Sequence, residues 1–259
     1  MPSKPVICLT FDLEEFDLPL EYGQKIPIEE QINVSTAGTN ALLPLLQKHK
    51  VSCTFFTTAN FARHRPSLIK EIASGHEIAS HSFFHSLFHV NDLKKSKETL
   101  EDIAQKEVIG FRMPRMAGVQ YKDLLAAGFK YDSSLNPTLI PGRYNHFFSP
   151  RTIHHQEGLI VFPASATPLM RIPLFWLSFK NFSSKRYAGL VRKCLSADGY
   201  ANIYLHPWEF VELGAHSLPR FIAKDPQLMI EKLQFFFDTF SDSARFISIQ
   251  QLLLEKNEL

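Results

Sequence analysis

Apolar positions along the chain follow two alternating rhythms. Short unbroken apolar runs, each leading into polar or charged residues, occur at "PVICLTFD" (5–12), "VSCTFFTT" (51–58), "HEIAS" (76–80) and "VIGFR" (108–112). Further runs start at Tyr131, at "YANIYLHPWEF" (200–210) and at "ARFISI" (244–249). Apolar runs of this length, without polar alternation, mark strands covered on both faces. Between them lie stretches with helical spacing: 35–50, 61–74 stopped by Gly75, 91–106, a segment from Tyr121, 183–199, and 225–240 with Pro226 at its first position. Pro44 is awkward inside a helix, which moves the expected start of the first one toward Asn40. Residues 17–35 read as an irregular acidic rim loop. Residues 137–182 hold six prolines and no helical period before Ser183, and read as hairpins and loops inserted beside the site. The strand–helix alternation predicts an α/β fold, a distorted (β/α) barrel of about seven mostly parallel strands. No linker or repeat divides it, so residues 1–259 are expected to form a single catalytic-sized domain.

In such folds the strand C-terminal ends carry the site. The polar residues at those ends are Asp12 and Glu14, His81 and His85, Arg112, Asp132, and His206. A solvated loop explains any one of them, but five strands aiming acids, imidazoles and a guanidinium at one rim point to chemistry. His81 and His85 are four apart, so on a helical turn they would share a face and could reach one metal ion.

Composition narrows the class. The formal charge is +2, from 28 basic and 26 acidic residues, with no long basic run, which argues against nucleic acid as a partner. Three widely spaced cysteines make no disulfide framework. Cys8 and Cys53 fall in strand-like runs and Cys194 in a helix, which suits a reducing compartment. The apolar run near the N-terminus is too short for a signal peptide, and no stretch approaches a membrane span. A cytoplasmic protein is the expectation. The segment "RIPLFWLSFKNF" (171–182) sets Phe175, Trp176, Phe179 and Phe182 between cations. It is expected to wall the substrate cleft or to touch a lipid-linked substrate at the inner membrane face, with packing of the insertion onto the barrel as the alternative.

Five segments, "TFDLEEFD" (10–17), "GHEIASHSFFH" (75–85), "GFRMPR" (110–115), "YDSSLNP" (131–137) and "YLHPWE" (204–209), occur in the order seen in the polysaccharide deacetylase superfamily, carbohydrate esterase family 4. The chain resembles the intracellular or exopolysaccharide-associated branch over roughly residues 5–250. The resemblance implies a hydrolase that removes an N-acetyl or O-acetyl group from a sugar with one divalent metal ion. Zinc suits the donor set, with cobalt, nickel or iron as alternatives. It implies His81 and His85 as ligands and Asp12 as the base. Leu13 holds the family's usual acidic ligand position, and a spaced variant of the motif makes Glu14 the third ligand. Asp17 and Glu15 are the other acids at hand. Alternation along a strand favours Glu14, because Asp12 and Glu14 share a side. The resemblance further implies Arg112 as the partner of the base and His206 as the acid. It places a backbone oxyanion donor at Arg115, whose side chain could instead read an anionic substrate group. Asp132 is expected to tune His206, and Trp176 and Trp208 to form a sugar-stacking wall, with core packing as the alternative for each. The expected partner is an acetylated sugar or a lipid-, nucleotide- or polymer-linked glycan precursor. The competing readings are a deformylase or metal-independent amidohydrolase of the same superfamily, and a non-catalytic glycan-binding protein.

Overall fold

A computed structural model of the chain describes residues 4–213 and 216–259. Residues 1–3, part of the N-terminal stretch discussed above, lie outside the described residues. Strand β1 (Val6–Leu13) leads through the one-turn helix α1 (Leu18–Glu21) to α2 (Ile28–Lys48). Then β2 (Thr54–Thr57) precedes α3 (Ala59–His64) and α4 (Pro66–Gly75), β3 (Glu77–Ser80) precedes α5 (Asp92–Ala104), and β4 (Gly110–Phe111) precedes α6 (Tyr121–Ala126). After β5 (Tyr131–Asp132) come two small hairpins, β6 (Leu139–Ile140) with β7 (Tyr144–Asn145) and β8 (His154–Gln156) with β9 (Leu159–Val161), and then α7 (Trp176–Asn181). The chain closes with α8 (Ser184–Asp198), β10 (Tyr200–Leu205), α9 (Pro226–Phe240), β11 (Arg245–Phe246) and α10 (Ile249–Glu255). Among the described residues no helix is long and apolar enough to cross a membrane.

The strands form one curled sheet in the order β10-β1-β2-β3-β4-β5-β9-β8, with β11 beside the start of β1. Within this sheet every pair is parallel except β8 with β9, and β6 with β7 forms a separate antiparallel pair. This is the expected α/β half-barrel. All eight residues of β1 are buried, because helices cover one face and the barrel interior the other. Ile7, Leu9, Phe11 and Leu13 pack into the large core with the helices. Val6 and Cys8 face inward, with Phe56, Ala79, Ile109, Tyr131 and Ile160. Ile249, Leu252 and Leu253 of α10 join that interior cluster at the end where the strands begin. One end of the barrel is thus plugged with hydrocarbon, and the other is left to polar side chains.

The structure corrects three local expectations. The 17–35 stretch is not an irregular loop, since α2 begins at Ile28 and Pro27 supplies its N-cap position. Pro44 sits inside α2 on its exposed face, where water can satisfy the carbonyl that loses its partner. The 137–182 region is not merely an insertion: β9 pairs with β5 and completes the sheet, and α7 starts seven residues before Ser183.

The ladder does not continue from β9 to β10. The Asn202 side chain spans that seam, donating from Nδ2 to the carbonyls of Pro163 (3.0 Å) and Phe162 (3.4 Å) and to Ser133 Oγ (3.1 Å). Backbone contact there is limited to Ser165 N–H on the Asn202 carbonyl at 2.9 Å and an isolated bridge between Phe175 and Tyr204.

Candidate active site

Because its strands other than β8 are parallel, the sheet sends their C-terminal ends to one rim. The alternation in β1 resolves there: Leu13 is buried in the helix-side core while Asp12 and Glu14 line a pocket of about 50 Å³. Asp12 accepts from Arg112 Nη1 at 2.6 Å. That guanidinium is fully buried, stacks 3.9 Å over the Phe56 ring, and also donates to Thr10 Oγ1 and to the carbonyl and hydroxyl of Ser133. A buried arginine tied to several partners fixes its carboxylate in place.

Glu14, His81 and His85 form the second group, with donor atoms all within 4.8 Å of one another. The helical premise for the two histidines fails, since the chain beyond β3 is irregular and Ser82 has φ 67°. The loop nonetheless stacks the imidazoles with centroids 5.7 Å apart. Each ring uses its Nδ1 elsewhere: His81 donates to the Arg112 carbonyl at 2.8 Å, and His85 to Asp17 Oδ1 at 2.8 Å. Both Nε2 atoms then face Glu14 Oε2, at 3.1 and 3.0 Å. Two imidazole lone pairs and a carboxylate oxygen are all acceptors, so the trio needs a cation or a proton among them. Outer partners on both Nδ1 atoms are the arrangement that orients histidine for metal, and this donor set fits one divalent ion of the zinc type. Burial alone would raise the Glu14 carboxyl, but His85, His81 and His206 outweigh it and hold it down to about 2. Burial opposes charge on His85, yet Glu14 and Asp17 lift it to about 9.

The other acids point elsewhere. Glu15 accepts from Thr58 Oγ1 (2.8 Å) and Asn60 Nδ2 (2.6 Å), away from the histidines. Asp17 stands behind His85, where it also accepts from Ser86 Oγ and Arg115 Nη2. The Arg115 guanidinium is committed to Asp17, to Glu21 at 2.7 Å and to the His85 carbonyl, which leaves little of it for a substrate anion. Its backbone lies in the left-handed region, φ 57°, as does that of Met116. This tight turn brings the Arg115 position to the pocket wall.

His206 completes the pocket. Its Nδ1 lies 2.9 Å from Glu209 Oε1, and its Nε2 faces the cavity 4.0 Å from Glu14 Oε1. Burial opposes its protonation, but Glu209 and Glu14 together raise its pKa. Glu209 therefore takes the tuning role expected of Asp132. Asp132 instead turns to Ser134, accepting from its N–H and hydroxyl, and lines a separate depression with Tyr121 and His146. Behind Glu209 lies the buried Lys180, Nζ to Oε2 3.4 Å, between the Trp176 and Trp208 rings. Trp208 is buried, stacks on His206 at 4.8 Å and donates from Nε1 to Glu14 Oε1 at 3.3 Å, so it braces the site from within. Trp176 is half-buried and lies on the pocket wall, whereas Phe175 and Phe179 of the same segment are core. Glu209 and Lys180 were missed from the sequence. The spacing of Glu209 three residues after His206 was the available signal, because a one-turn helix returns the carboxylate to both the backbone N–H and the ring of His206.

A parallel half-barrel with paired acids, two imidazoles and a third, tuned imidazole at its open end has the layout of a hydrolase centre. The chain belongs to the polysaccharide deacetylase family, whose model matches residues 1–131. It is 33% identical over 69 residues to the peptidoglycan-N-acetylmuramic acid deacetylase PdaA of Bacillus subtilis, a stretch covering 26% of either protein. It is 51% identical over 45 residues to the uncharacterized protein YlxY of the same organism, 17% of this chain and 14% of that one. The matched stretches thus span roughly a quarter or less of these curated relatives. Among solved structures, the peptidoglycan deacetylase PdaC of Bacillus subtilis superimposes with a TM-score of 0.54 at 16% identity, covering 100% of this chain and 94% of that one. An allantoinase superimposes with a TM-score of 0.66 at 14% identity, covering 97% and 90%. Likeness at these identities speaks for the fold alone.

Proposed function

We propose that the protein is a metal-dependent deacetylase acting on an N-acetylated or O-acetylated sugar within a glycan or glycan precursor. The observation that carries this reading is the convergence of Glu14, His81 and His85, acceptors all, beside the Asp12–Arg112 pair and the His206–Glu209 pair. Glu14 Oε2 and the two Nε2 atoms would hold one divalent ion, which supplies Lewis acidity by lowering the pKa of water and polarising the acetyl carbonyl. Asp12, held in place by Arg112, takes the proton of the attacking water. The Arg115 backbone N–H stabilises the oxyanion. The bond from acetyl carbon to nitrogen or oxygen then breaks, and His206 Nε2 gives its proton to the leaving atom. Glu209 holds the ring in the tautomer that allows this, as a carboxylate does behind any catalytic imidazole.

The two acids of β1 separate experimentally. Glu14→Gln is expected to purify with much less metal per chain. Asp12→Asn is expected to retain its metal and to release acetate about 10²–10⁴-fold more slowly. Metal analysis with an acetate-release assay checks both. Metal loss in Asp12→Asn with retention in Glu14→Gln inverts the assignment.

A further inference from the structure

A second cavity, a trough of about 170 Å³, adjoins the catalytic pocket and shares Leu18, Glu21, Arg143, Tyr144 and Trp176 with it. Beyond Trp176 its wall is hydrocarbon: Tyr22, Ile140, Leu177, Phe221 and Ile222. Phe221 and Tyr22 leave 51% and 43% of their surface exposed, so the trough opens to solvent. A subsite for a second sugar would offer side-chain donors and acceptors around an aromatic platform. This wall offers apolar rings and branched aliphatics, with the Tyr22 hydroxyl the one polar side-chain group among the five residues named.

The charged groups lie at the junction of the two cavities. Glu21 is held by Arg115 at 2.7 Å, and Asp17, on the pocket side, by Arg115 and His85. Arg143 rests against the Tyr144 ring at 5.9 Å, shares a side-chain hydrogen bond with Tyr144 and feels the charge of Glu21, but forms no ion pair among the described residues. The join therefore presents one guanidinium that is neutralised by no carboxylate contact among the described residues, with acids on the pocket side already paired to Arg115 and His85. A guanidinium in that state suits a phosphate oxygen.

Resting on the deacetylase reading, we infer that the substrate is an amphiphile: a sugar joined through phosphate to an apolar chain. The sugar lies at the catalytic pocket, the phosphate against Arg143, and the first part of the chain in the trough along Trp176. The order of the three chemistries along the cleft, polar, anionic and apolar, is the order along such a molecule. Hydrocarbon burial in the trough supplies binding energy remote from the reacting bond.

Both tryptophans of the chain, Trp176 and Trp208, line the catalytic pocket, and Trp176 also lines the trough, so their fluorescence reports occupancy. The probes are geranyl phosphate, geraniol and inorganic phosphate, titrated into the full chain with metal removed by chelation. Geranyl phosphate is expected to give a saturable change, with Arg143→Ala and Phe221→Ser each weakening it about tenfold. Geraniol and phosphate alone are each expected to bind at least about tenfold more weakly. No saturation with geranyl phosphate, or an unaltered affinity in Arg143→Ala, overturns the inference. Equal affinity for geraniol removes the phosphate from it, and equal affinity for free phosphate reduces the site to a simple anion site. Acetate release from a small acetylated sugar, measured with the metal-loaded protein, tests the deacetylase reading separately. That activity without geranyl phosphate binding defeats only the amphiphile.

Discussion

Burial raises the Asp132 carboxyl to about 6, against the hydrogen bonds from Ser134 and the charge of Arg112. Below the ordinary value of 3.8, folded and unfolded chains both carry the proton. As pH climbs past 3.8 the unfolded chain releases it while the folded chain keeps it to about 6, so folding is progressively disfavoured and the full penalty applies above that point. Asp132→Asn keeps an oxygen for Ser134 and cannot ionise. It is expected to gain on the order of 1 kcal/mol at neutral pH, a gain that disappears at strongly acid pH, with kcat/KM within about twofold of the parent. Urea unfolding at the two pH extremes and a rate measurement check this, and a large loss of activity would return Asp132 to the machinery. The residue also marks where sequence reasoning stopped. Position at a strand end identified Asp12, His81, Arg112 and His206 as rim residues, and all four are. It could not say on which side of the rim Asp132 would turn. Glu209 was signalled only by its spacing from His206, and Lys180 stayed hidden because nothing in a sequence marks a lysine as buried.

Helices position this site as much as strands do. Helix α2 packs against the turn after His206, and the contact depends on Gly38: a Cβ built there would lie 2.0 Å from the Pro207 carbonyl oxygen and 3.0 Å from the Trp208 nitrogen. Those are backbone atoms, so the turn itself must move, and with it His206, Glu209 and Trp208. Gly38→Ala is expected to cost about 1–3 kcal/mol of stability. Its kcat should fall at least about tenfold, since small displacements of catalytic groups cost large factors. Metal content should fall far less than in Glu14→Gln, because the displaced turn reaches the three candidate ligands mainly through the Trp208 Nε1 bond to Glu14. Metal analysis, kinetics and urea unfolding separate these effects. At this scale the long apolar runs were legible, and the strands that follow them stand where expected. What escaped was short or made locally of polar and proline-rich residues. The start of α2, α7 and β9 are set by tertiary partners, since a three-residue strand such as β9 carries too little pattern to declare itself.

For the whole molecule, the curl of the sheet was legible in the alternation of strands and helices, but its point of closure was not, because closure is made largely by side chains, the Asn202 amide prominent among them. Asn202→Ala removes the three Nδ2 bonds across the seam and is expected to cost about 1–3 kcal/mol. Amide exchange of Ser165, which donates to the Asn202 carbonyl, should quicken before that of β1 to β3. The seam also reaches the site. Ser133 Oγ accepts from both Asn202 and Arg112, and Arg112 holds Asp12. Warming that opens this edge slackens the grip on Asp12 while the hydrocarbon plug at the far end and the central strands stay in place. Heat inactivation should therefore precede melting and reverse on cooling, so that the protein passes through a folded but idle state whose onset comes earlier in Asn202→Ala.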